Sequence, residues 1–172
     1  VREAGGEGSP QANAALLEGF RLLMQFLLER EADCLCGAPR NAHNARARVN
    51  CRSGYHARTL RTPLGRIPLL IPQLLHFTPR VSIVKRATRL APRVLETLAR
   101  VRASGVTPEE TDSLIRNLWT IALPAALRAA LVREFLPILE TWRAGTLAPR
   151  AAHPRAPRRA SASQNKATFN SS

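Results

Sequence analysis

Residues Cys51–Leu74 read CRSGYHARTLRTPLGRIPLLIPQL, and this stretch decides how the rest of the chain is parsed. Thr59-Leu60-Arg61 alternates polar and apolar residues before Thr62, Pro63-Leu64-Gly65 supplies a turn, and Ile67 to Ile71 is a short apolar run. That order predicts a β-hairpin. Pro68 and Pro72 cannot donate ladder hydrogen bonds, so the second strand belongs at a sheet edge or is partly irregular.

The charge around the hairpin is one-sided. No acidic residue lies between Asp33 and Glu96, whereas twelve basic ones do: Arg40, Arg46, Arg48, Arg52, Arg58, Arg61, Arg66, Arg80, Lys85, Arg86, Arg89 and Arg93. A single-sign segment repels itself and is stabilised by a polyanion, most often nucleic acid. The whole chain of 172 residues carries a formal charge of +14. The basic residues are nearly all Arg, and Ala, Leu and Pro are abundant, a mix that GC-rich coding also produces.

Before the hairpin, Ser9-Pro10 is a helix start. Leu16, Leu17, Phe20, Leu23, Met24, Leu27 and Leu28 follow at helical spacing, with Glu18, Arg21, Gln25, Glu29 and Arg30 on the other side. The pattern predicts an amphipathic helix over residues 11–33, packed on its own domain or on a second copy. Residues 34–57 lack an apolar period and read as a basic loop, so that loop and hairpin together fill 34–75.

After the hairpin the chain is helical over residues 80–144. Pro92 suits the first turn of a helix holding Val94, Leu95, Leu98 and Val101, and Gly105 is placed to end it. Thr107-Pro108-Glu109-Glu110 is a cap, a first-turn proline and a glutamate three residues after the cap. Leu123-Pro124 opens a third helix, which Pro137 should kink. Trp119 and Trp142 read as core residues. Three helices joined by short turns have the outline of a helix-turn-helix bundle and equally of any small bundle. Residues 1–10 read as a flexible lead, and residues 145–172, rich in Pro, Ala, Arg and Ser, as a disordered basic tail. The fold class expected is mainly α: an amphipathic N-terminal helix, a small β-hairpin, a three-helix bundle and a tail.

Composition excludes several functions. No apolar run is long enough for a transmembrane helix, and three cysteines without a secretory context point to a reducing cytoplasm. On spacing alone Cys34, Cys36, His43 and Cys51 assemble into a zinc site, but Cys-x-Cys is tighter than a structural knuckle and incidental thiols are the simpler reading. There is no catalytic triad arrangement and no Gly-rich phosphate loop.

The hairpin segment resembles a signature of the Mutator-type family of bacterial insertion-sequence transposases. Arg52, Gly54 and Tyr55 fit its Arg-Asn-Gly-Tyr run, with Ser53 in place of Asn. Arg58, Thr62, Gly65, Ile67, Leu69, Ile71 and Pro72 fit the Thr-x-x-Gly and strand that follow. The apolar helix with Cys36–Pro39, the Gly105-Val106-Thr107 turn and Ile138–Leu147 extend the resemblance over roughly residues 12–147. It implies a region that binds the inverted repeats at the ends of an element, in the bacterial cytoplasm at the nucleoid. It also implies a later ribonuclease-H-like domain in which three carboxylates hold two Mg²⁺ ions. That domain would follow Leu147, where the basic tail stands instead. The chain has only two Asp, Asp33 and Asp112, and no acidic residue after Glu140. The expectation is therefore a transposase fragment with no catalytic residues, metal or cofactor of its own.

The residues expected at DNA are Arg52, Tyr55, Arg58, Arg61, Arg66 and Arg128. Arg52, Arg58 and Arg66 are the first choices for phosphates. Arg58 and Arg61 would face opposite sides of an extended strand. Tyr55 either stacks on a base or lids the hairpin core. In the third helix the resemblance implies Ser, Lys and Gln, but Leu123-Pro124-Ala125-Ala126-Leu127 stands there, leaving Arg128 and Arg133. The alternatives are a dimerisation module built on the Leu16–Leu28 helix and an RNA-binding protein using the same Arg-rich loop.

Overall fold

The computed structural model describes residues 9–40, 42, 46, 49–76, 82–119 and 122–145. In chain order the elements are α1 (Pro10–Cys36), β1 (Arg52–Thr62), β2 (Gly65–Leu74), α2 (Ser82–Ser104), α3 (Pro108–Leu118) and α4 (Ala125–Arg143). The chain is mainly α with one antiparallel hairpin. The expected lead and tail lie outside the described residues, apart from their inner ends.

The local signals act as read. The Ser9 hydroxyl accepts from the Ala12 amide at 3.2 Å, with Pro10 in the first turn of α1. The Thr107 hydroxyl accepts from the Glu110 amide at 3.2 Å and starts α3. Gly105 follows the last residue of α2, and Trp119 ends α3 in an extended conformation.

Three boundaries differ from the sequence reading. α1 runs on to Cys36, three residues past the predicted end. α2 begins at Ser82, and Pro92 lies inside it rather than at its start. Ile83, Val84, Ala87 and Ala91 continue the buried stripe of Val94, Leu95 and Leu98. Pro92 and Thr88, whose carbonyl loses its partner, are both exposed, so water can satisfy that carbonyl. Finally, β1 begins at Arg52, inside the predicted loop. Its first half shows no apolar period because backbone pairing to β2 holds it. The burial is supplied by Ile67, Leu69 and Ile71 across the ladder.

α1 is the centre of the molecule. It packs against β2, α2 and α4, and Phe20, Leu23, Met24 and Leu27 are completely buried. Each such side chain contributes about 1.5–3 kcal/mol of burial. One contiguous apolar cluster takes residues from all six elements, Leu60 and Ile67 of the hairpin and Phe135 and Leu139 of α4 among them. Trp119 and Trp142 are buried in it. The Leu16–Leu28 face, expected to pack on its own domain or on a second copy, packs on the chain's own elements.

The polar side of α1 is no solvated face either. Gln25 donates to the Leu70 carbonyl at 2.8 Å and accepts from the Leu70 amide at 3.2 Å, as a third strand would. This closes the outer edge of β2 with a side chain. At the other end of the helix bundle the Trp142 indole donates to the Ala15 carbonyl at 2.9 Å. Gly19 makes that approach possible, since a Cβ there would stand 2.6 Å from the Trp142 ring.

Candidate nucleic-acid interface

The register of the hairpin sorts its arginines. Arg61 pairs directly with Arg66, and Thr59 with Pro68, so these four share one face. Arg58 pairs with Leu69, and Leu60 with Ile67, on the opposite face. The expected separation of Arg58 from Arg61 is therefore present, and Arg61 joins Arg66. All three guanidiniums are exposed and none makes an ion pair among the described residues. Like charges directly opposite in a ladder destabilise it.

Arg52 has a different setting. Its Nη2 lies 2.6 Å from Asp33 Oδ1 and 3.2 Å from the Glu29 carbonyl oxygen, and its Nε lies 3.7 Å from Glu29 Oε2. Its side chain is 11% exposed. Burial pulls the guanidinium pKa down, but the Asp33 hydrogen bond and charge outweigh it and the net shift is upward. A first choice for phosphate contact is thus a tie between the hairpin base and α1. Gly54, at φ 153°, follows the irregularity between Arg52 and Gly54 that interrupts the ladder. Asp33 also accepts from Arg30 at 2.9 Å, and Arg30 reaches Glu134 of α4 at 3.0 Å. The chain Glu29–Arg52–Asp33–Arg30–Glu134 joins β1, α1 and α4.

Tyr55 is half-buried at the same base, with the Arg40 guanidinium 5.1 Å from its ring centroid. Its hydroxyl is buried without a well-formed hydrogen bond. Burial first, and the neighbouring Glu29 carboxylate second, push the phenol up to about 12. By the register its ring lies on the same hairpin face as Arg61 and Arg66, with Arg40 over one side of it.

Arg128 is 39% exposed and its Nε lies 3.1 Å from Asp112 Oδ1, bridging α4 to α3. Near it the start of α4 exposes Pro124, Ala125, Ala126 and Ala129, with Arg133 exposed a turn further on.

No site residue was expected on α2, yet among the described residues this helix carries a run of three cations without acidic partners. Lys85, Arg89 and Arg93, four residues apart, are exposed on the side opposite the buried stripe. Successive charges stand about 6 Å apart along the axis. Glu96 ends the run. The signal was the i, i+4, i+8 spacing of bases, masked when the helix was started at Pro92.

Most described acids are already engaged: Glu18 with Arg21, Glu29 and Asp33 with Arg52, Glu134 with Arg30, Glu110 with Arg100 and Asp112 with Arg128. Among the described residues no three His, Cys, Asp or Glu side chains are grouped to hold a metal ion. The Mg²⁺ pair that the resemblance implies belongs to the later domain, and the described residues offer no cluster that fits it. Nor do they assemble the suggested zinc site, whose His43 lies outside the described residues. No helix among them is long and apolar enough to cross a membrane.

Residues 8–152 match the family described as "Transposase, Mutator family". The chain belongs to the Mutator family of transposases. Over 118 residues it is 30% identical to the transposase for insertion sequence element ISRM5 of Rhizobium meliloti (strain 1021), covering 67% of this chain and 29% of that protein. It thus spans less than a third of the length of that relative. No solved structure matches.

Proposed function

We propose that this chain is a DNA-gripping region used in transposition, holding the inverted repeats at the ends of an element mainly through their phosphates. The observation that carries this is the division of charges. Most described acids are engaged with arginines, several of them across elements, while among the described residues Arg58, Arg61, Arg66, Lys85, Arg89 and Arg93 stay exposed without acidic partners. Family membership supports the same reading. No cleavage or joining step is assigned to the described residues.

Phosphate neutralisation releases counterions, so affinity must fall steeply with salt. With about −0.9 for each side chain that neutralises a phosphate, four to six of them give a log–log slope of the association constant against salt of about −4 to −5. Fluorescence anisotropy of a labelled duplex between about 50 and 200 mM salt measures it. A flat response, or no binding at the lowest salt, overturns the proposal. Preferential displacement by structured RNA would reassign the same surface to RNA.

A further inference from the structure

We propose that base reading belongs to the outer face of the β-hairpin and not to α4: the β1–β2 ribbon enters the major groove of duplex DNA, directing Arg61 and Arg66 at guanine edges. This rests on the DNA-binding reading above and names where its sequence information is taken.

Four observations carry it. First, Arg61 and Arg66 are a cross-strand pair, exposed, on one face, with no acid partner among the described residues. The arrangement is unfavourable in the unbound chain and favourable against an acceptor-rich surface. A guanine edge presents two acceptors, N7 and O6, in the spacing a guanidinium fork matches. Second, the part of that face next to the arginines is low: Ala57, Thr59 and Pro68 are exposed there, with Leu70 and Tyr55 half-buried further along the same face. Two strands stand about 5 Å apart, and the major groove, about 12 Å wide, admits such a ribbon. Third, Gln25 occupies the outer backbone edge of β2 at Leu70, so that edge is already taken while the face stays open to a partner. Fourth, the start of α4 offers little to read with, Arg133 standing a turn further on. Its exposed start is Pro124, Ala125, Ala126 and Ala129, and Arg128 is held by Asp112 at 3.1 Å. Alanine can touch a thymine methyl but makes no hydrogen bond to a base edge.

The test is selection of the full chain on a pool of duplexes with a randomised centre, followed by sequencing of the bound fraction. Wild type is expected to enrich a motif containing guanine. R61A and R66A should each lose preference at a guanine position by about tenfold, within what one bidentate side chain–guanine pair supplies. K85A and R89A, on α2, should weaken all duplexes alike and leave the motif intact. An unchanged motif in R61A and R66A overturns the proposal, as does salt-dependent binding by wild type with no motif enriched; in both cases the phosphate grip survives. Binding to no duplex at all removes the DNA reading together with this one. All four positions are exposed, and thermal melts confirm that the variants fold.

Discussion

Two residues carry consequences out of proportion to their size. Gly19 sits mid-helix, where alanine would ordinarily gain about 1 kcal/mol of propensity. A Cβ there meets the Trp142 ring at 2.6 Å, and that ring is fixed by its indole bond to the Ala15 carbonyl. Overpacking costs about 1–3 kcal/mol and outweighs the propensity gain. Gly19→Ala is therefore expected to lower the melting temperature, and a rise would show that α4 docks elsewhere. Tyr55 is the only tyrosine, so its phenol can be followed by absorbance without ambiguity. Its folded-state pKa of about 12 lies above the ordinary 10.0. The neutral form is the one the fold favours. Its contribution is complete below pH 10 and is lost as pH rises toward 12. The tyrosinate midpoint should lie near 12 in the native protein and near 10 in denaturant; a native midpoint near 10 would mean an open phenol.

At the level of elements, α1 and the hairpin are joined through polar side chains. Asp33 and Glu29 surround a guanidinium with little exposure. Asp33→Ala would leave Arg52 largely uncompensated, an expected loss of about 2–3 kcal/mol in chemical denaturation, lessened by the remaining Glu29. By contrast, Arg61→Ala removes a like-charge cross-strand pair and should stabilise the DNA-free chain by about 0.2–1 kcal/mol. A loss instead would mean that Arg61 has an internal partner. Helix starts at Ser9 and Thr107 and the turn at Pro63 were legible because each is a local motif whose residues satisfy the backbone within three positions. The true starts of β1 and α2 were not. Arg52–Arg58 lie in a strand whose burial is supplied by its partner, and Pro92 is tolerated because it faces water, a fact of tertiary placement.

Across the whole molecule, one residue type plays two parts, and the sequence does not distinguish them. Arg52, Arg30 and Arg128 close structure; Arg58, Arg61, Arg66, Arg89 and Arg93 are exposed without acidic partners among the described residues. The acid-free run from Cys34 to Leu95 was visible at once, but Asp33, just before it, is what removes Arg52 from the exposed set. Pairing across 19 positions depends on how β1 returns to α1, which no local pattern encodes. The two parts predict opposite signatures. Substituting Lys85, Arg89 or Arg93 with alanine should leave the melting temperature nearly unchanged and make the salt slope of duplex binding shallower by about 1 for each residue. Substituting Arg52 or Arg128 should lower the melting temperature and leave the slope of the fraction that remains folded unaltered. A melt and a salt titration on the same five variants check both. Should Arg52→Ala flatten the slope without loss of stability, the guanidinium reaches phosphate after all and its ion pair with Asp33 opens on binding.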